Sequence, residues 1–118
     1  MHNNTNTELN HKLIEIFSEL AQIPSPSLSE DKVIRWIKDF CKKNNLLFEL
    51  DDYENVFIKI PATNIHKKPI LLSAHMDVVG DFSPIHLKTE GNFIKTDGAR
   101  TLGADDKVGV ASALLLGS

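Results

Sequence analysis

The hydrophobic period of this chain changes at Leu46, and that change dictates its class. Before it, apolar residues recur every three or four positions: Leu9, Leu13, Ile16, Phe17 and Leu20, then Val33, Ile34, Ile37, Phe40 and Cys41. That spacing lays one apolar stripe along each of two helices. After Leu46 the runs become short and β-rich, as in Leu46-Leu47-Phe48-Glu49-Leu50 and Asn55-Val56-Phe57-Ile58-Lys59-Ile60 around the acidic turn Asp51-Asp52. A chain that opens on helices and continues in strands must bury its helical stripes against a sheet, which makes it an α/β layer protein.

Local signals set the boundaries. Residues 1–6 are polar and read as a disordered lead-in, and Thr5 and Glu8 have capping-box spacing ahead of a helix over about residues 7–21. Pro24 and Pro26 interrupt, after which Ser27 and Glu30 form a second capping box for the next helix. Asn44 and Asn45 end it, because Asn tolerates left-handed backbone angles. Residues 61–68 form a loop. The continuous apolar run over residues 70–74 predicts a strand covered on both faces. Residues 85–89 and 92–96 predict a hairpin about Glu90-Gly91, and a glycine-containing loop leads to a final helix from about Asp105. In that helix Val108, Ala111 and Leu115 form the expected buried face, while Leu114, Leu115 and Leu116 in a row imply burial on several sides. The element order predicts a mixed sheet, and neither repeats nor low-complexity segments are present.

Composition narrows the function. The 118 residues carry a net charge of -3, which leaves no basic footprint for nucleic acid or an anionic membrane surface. Hydrophobic residues make up 42%, enough for a single core. One cysteine cannot form an internal disulfide, and the polar start lacks an apolar signal region, so the expectation is a soluble cytoplasmic protein.

Two acidic motifs carry the chemistry. His75-Met76-Asp77 follows the apolar run, and Gly103-Ala104-Asp105-Asp106-Lys107 opens the last helix, thirty residues on. A neutral imidazole and a carboxylate, each delivered from the end of a regular element, are divalent-metal ligands. His75 and Asp77, two apart on extended backbone, point to one side, so Asp77 can accept a hydrogen bond from the ring nitrogen that His75 does not use for a metal. Each motif also has a plain structural reading. His-x-Asp recurs in surface turns, and acidic residues in the first turn of a helix complement its dipole, worth about 0.3–1 kcal/mol each. Gly98 and Gly103 permit tight turns in the intervening loop, and Lys107 is expected to turn to solvent or to another carboxylate. No phosphate-loop pattern is present. His2, His11, His66 and His86 fall in polar or loop contexts and read as solvated, and Trp36 reads as packing.

Together these motifs resemble the dizinc exopeptidase superfamily, which includes peptidase T, aminoacyl-histidine dipeptidase, carboxypeptidase G and aminoacylase. The similarity runs from about Ile14 to Leu116. It rests on Ile23-Pro24-Ser25-Pro26-Ser27 with Glu30, Asn55-Val56, His75-Met76-Asp77-Val78-Val79 and Thr101-Leu102-Gly103-Ala104-Asp105-Asp106-Lys107-Val108-Gly109-Val110-Ala111. The last stretch is the most specific and looks most like peptidase T and its tripeptidase relatives.

The resemblance implies a three-layer, mixed-sheet catalytic domain, of which residues 7–118 are the N-terminal part. It implies two Zn2+ ions, with Co2+ or Mn2+ as alternatives. His75 is then a terminal metal ligand, Asp105 a carboxylate bridging both ions, and Asp77 the catalytic-site carboxylate that clamps His75. The Asp105-Asp106 bond is expected to be cis. The implied activity is hydrolysis of short peptides by a metal-bridged water, tripeptide aminopeptidase-like. The general base and the remaining ligands are expected beyond Ser118, as is a small dimerisation or lid domain. A peptide substrate is the expected partner, neither nucleic acid nor membrane is, and both a monomer and a homodimer stay open for the complete protein. Two other readings stay open: a non-catalytic truncated remnant with weak metal binding, and a plain α/β interaction domain.

Overall fold

The computed structural model describes the backbone of residues 2–118 and the side chains from Thr5 onward. Two helices come first, α1 over His2–Ala21 and α2 over Asp31–Lys43. Strands β1 (Leu47–Leu50) and β2 (Val56–Lys59) follow, then β3 (Leu87–Glu90), β4 (Phe93–Thr96) and α3 (Ala104–Leu115). Helix α1 reaches back through the stretch expected to be a disordered lead-in, so Thr5 lies inside the helix and caps nothing. Once a helix is anchored by packing, each added residue gains one backbone hydrogen bond, which lets it extend past the buried stripe.

The helices form the core. Ile16, Phe17, Leu20 and Ala21 of α1 meet Val33, Ile37 and Cys41 of α2 and Val110, Ala111 and Leu114 of α3, all buried. Leu20, Val33, Cys41 and Ala111 are sealed from solvent, each worth about 1–3 kcal/mol except the smaller Ala111. Trp36 stacks on Phe40 with centroids 5.6 Å apart and donates its indole N–H to Glu19 at 3.0 Å, tying α2 to α1. Asn45 ends α2 at φ 55°, in the left-handed region expected of it.

The buried stripe of α3 is Lys107, Val110, Ala111 and Leu114, not Val108, Ala111 and Leu115. Asp105 and Asp106 have non-helical angles, so regular helix starts at Lys107 and the stripe is rotated; Val108 is 43% exposed and Leu116 63%.

The sheet side is sparser than expected. β1 pairs with β2 and β3 with β4, each antiparallel, in two separate two-stranded ladders. The hairpins fall where the sequence places them, with Glu90 opposite Phe93 across the Gly91 turn. The run over residues 70–74 forms no strand, and Ile70 and Leu71 are 82% and 87% exposed. A doubly covered strand needs paired neighbours and a layer on each face, and the described residues supply neither. The α/β class therefore stands as an incomplete domain, with small antiparallel ladders in place of one mixed sheet. Its radius of gyration, 15.3 Å, exceeds the roughly 13.5 Å of a compact domain this long.

Candidate metal centre

The two acidic motifs meet. His75 lies in irregular backbone after the exposed apolar run, and its ring sits between two carboxylates. Its Nδ1 is 3.1 Å from Oδ1 of Asp77, and its Nε2 is 3.0 Å from Oδ1 of Asp105. Residues thirty apart in sequence thus share one imidazole, as the motif reading requires. The neighbouring carboxylates, Asp105 first, raise the His75 pKa above that of an ordinary histidine. Asp77 is held below the usual carboxylate range, chiefly by the Ser27 hydroxyl and then by His75.

Loop geometry brings the second motif to the first. Gly103, at φ 71°, precedes α3 in the left-handed region. A Cβ there would come within 2.9 Å of the Val78 side chain, so glycine lets that side chain pack directly against the loop before α3. The Asp105-Asp106 peptide bond is cis, as the resemblance implies. The Asp106 carboxylate lies over the first turn of α3, where a Cβ on Gly109 would stand 2.5 Å from its Oδ1. An open groove between the motifs is lined by His75, Asp77, Val79, Thr101, Leu102 and Asp105.

Three features lay outside the sequence reading. Lys107, expected at the surface, is buried, and its Nζ donates to the carbonyl of Ile23. Desolvation lowers its pKa to about 8, with the Arg100 charge adding to the effect. Lys107 stands on the buried face of α3, and its Nζ ends at the turn after α1. Ser27 caps no helix; its hydroxyl donates to Oδ2 of Asp77 at 2.5 Å, and the residue before α2, Glu30, makes no side-chain cap. Arg100 crosses between loops, donating to the carbonyl of Asp81 at 2.9 Å and to Ser83 Oγ at 3.0 Å. Ser27 and Lys107 both stand inside the stretches that carry the family resemblance, which was the available signal. Arg100 had none beyond its place in a glycine-containing loop.

The donor set suits a divalent cation in part. Two ligands at about 2.0–2.1 Å from a tetrahedral ion stand roughly 3.3 Å apart, close to the 3.0 Å between His75 Nε2 and Asp105 Oδ1. Asp77 on Nδ1 orients the ring so that Nε2 faces Asp105. Among the described residues no group of three or more His, Cys, Asp or Glu is placed to hold an ion. His11, His66 and His86 are exposed, as expected.

Comparison with known proteins agrees with this geometry. No family model matches the chain. The cytosol non-specific dipeptidase of Escherichia coli (strain K12) is 36% identical, over 86% of this chain and 23% of its own length. An uncharacterized protein of Bacillus subtilis (strain 168) is 29% identical over 86% of this chain and 29% of its own. A tripeptidase structure from Staphylococcus aureus superposes with a TM-score of 0.81 at 27% identity, covering 91% of this chain and 31% of that one. The aminoacylhistidine dipeptidase of Vibrio alginolyticus gives 0.76 at 30% identity, covering 89% of this chain and 24% of that one. The chain therefore spans 23% to 31% of the length of these relatives. With the two motifs joined at one imidazole, this chain is similar along most of its length to one segment of dipeptidases and tripeptidases of the dizinc exopeptidase superfamily.

Proposed function

We propose that this segment supplies part of the metal centre of a zinc-dependent peptidase acting on short peptides, with Co2+ or Mn2+ able to replace Zn2+. The observation that carries this reading is His75 held between Asp77 and Asp105. Residues 7–118 are then part of the catalytic domain. His75 and Asp105 would hold the metal, and Asp77 would orient His75. When bound, such ions polarise a peptide carbonyl and acidify a water. What this chain itself does is hold the imidazole in one tautomer and present two donor atoms to the groove. The general base and the other ligands have no counterpart among the described residues.

The relatives named as dipeptidase and tripeptidase support short peptides as substrates, and the dipeptidase named as cytosolic supports a cytoplasmic setting. No described helix is long and apolar enough to cross a membrane. These 118 residues alone are expected to bind metal weakly and to turn over no peptide, because two donors leave most coordination positions to water. The test is a chimera in which the matching segment of the Escherichia coli dipeptidase is replaced by this chain. Peptide hydrolysis that survives the swap and is lost on His75→Ala and on Asp105→Asn is the expected result. Activity that persists in both variants contradicts the reading.

A further inference from the structure

The turn between α1 and α2 touches both motifs through alternate residues. Ile23 and Ser25 each precede a proline, which disfavours helical backbone there and keeps the chain out of helix between α1 and α2. Residues 23, 25 and 27 each bond to one of the motifs. The Ile23 carbonyl accepts from Lys107 Nζ at the start of α3. Ser25, fully buried, donates its hydroxyl to the Met76 carbonyl and accepts from the Val78 amide, both at 2.8 Å. Ser27 donates to Asp77 Oδ2 at 2.5 Å. Pro24 and Pro26 bring no amide donors of their own to compete for these acceptors.

We propose that residues 23–27 are a bracket that sets the two motifs against each other, with Ser27 as a positioning residue for His75. The proposal rests on the metal-centre reading only for its functional consequence; its structural content stands on these bonds. Asp77 spends one carboxylate oxygen on His75 Nδ1 and the other on Ser27. With both oxygens engaged the carboxylate is restrained against rotation and favours the imidazole proton on Nδ1, with Nε2 facing Asp105. Without the hydroxyl, Asp77 is free to turn, and Asp105 at 3.0 Å from Nε2 competes for the same proton. Ser27 is itself exposed, so its removal leaves the core intact.

The experiment uses the 118-residue chain, 15N-labelled and metal-free, at a pH where His75 is neutral. The wild type and Ser27→Thr should show the Nδ1-protonated tautomer, and Ser27→Ala should shift population to the Nε2-protonated one with an unchanged urea midpoint. Zn2+ affinity, read by calorimetry, should fall about 10-fold in Ser27→Ala and be restored in Ser27→Thr. An unchanged tautomer ratio in Ser27→Ala overturns the proposal. His75→Ala separates the two readings. If it binds Zn2+ as the wild type does, the metal-centre reading fails, while a tautomer shift in Ser27→Ala still supports the bracket.

Discussion

Leu20, Val33 and Cys41 in the helical layer are sealed from water, whereas Ile70 and Leu71, no less apolar, stand 82% and 87% exposed. Both sets come from runs that any reading of hydrophobicity assigns to a core. The difference lies in partners. An amphipathic helix needs one apolar neighbour, and α1, α2 and α3 supply one another. A doubly covered strand needs paired strands at both edges and a layer on each face. The candidate metal site sits on the boundary between these regions: His75 follows the exposed run, and bonds around it come from the segment between α1 and α2, through Ser25 and Ser27.

This contrast can be broken by mutation. Leu20→Ala should cost about 2–5 kcal/mol of stability, read from urea unfolding, because it empties a sealed site. Leu71→Ala, in the same chain, should change stability by no more than about 0.5 kcal/mol. Equal costs would end the distinction between the two regions.

Lys107→Ala comes next, at about 1–3 kcal/mol, because it orphans the Ile23 carbonyl in a buried setting. The lysine also makes stability depend on pH. Its folded pKa is lowered to about 8 from an ordinary 10.5, so between those values the unfolded chain binds more protons than the folded one. Stability should therefore rise with pH across that window, and the rise should vanish in Lys107→Ala. A flat profile in the wild type contradicts the buried placement.

The smallest effect on stability is expected for Ser27→Ala, within about 0.5 kcal/mol, since the residue is exposed. Amide hydrogen exchange sharpens the comparison without mutation. Amides of Ile37 and Cys41 should be strongly protected, while those of Leu71 and Leu72, which make no ladder bonds, should exchange at nearly unstructured rates.

The helices, both hairpins and the meeting of His75 with Asp105 were legible because each depends on near neighbours or on a specific motif. Periodicity placed Leu20 and Val33, turn chemistry placed Gly91 and Asn45, and the family pattern placed Asp105 beside His75. The fate of residues 70–74 was not legible, since burial of a strand is decided by chain far away in sequence. The role of Ser27 was masked by an ordinary alternative: a serine three residues before a glutamate fits a capping box, yet its hydroxyl finds Asp77 instead. Lys107 was misplaced because charge alone assigns lysine to the surface, while the kink at Asp105 and Asp106 rotates it inward.

The central claim is that His75 and Asp105 are ligands of one metal centre. Its most direct test is a Zn2+ titration of the 15N-labelled chain, followed at the imidazole nitrogens. The account predicts that Nε2 of His75 shifts on binding, that His11, His66 and His86 do not, and that Asp105→Asn weakens the response. A response confined to the other histidines, or one at His75 that Asp105→Asn leaves unchanged, contradicts it.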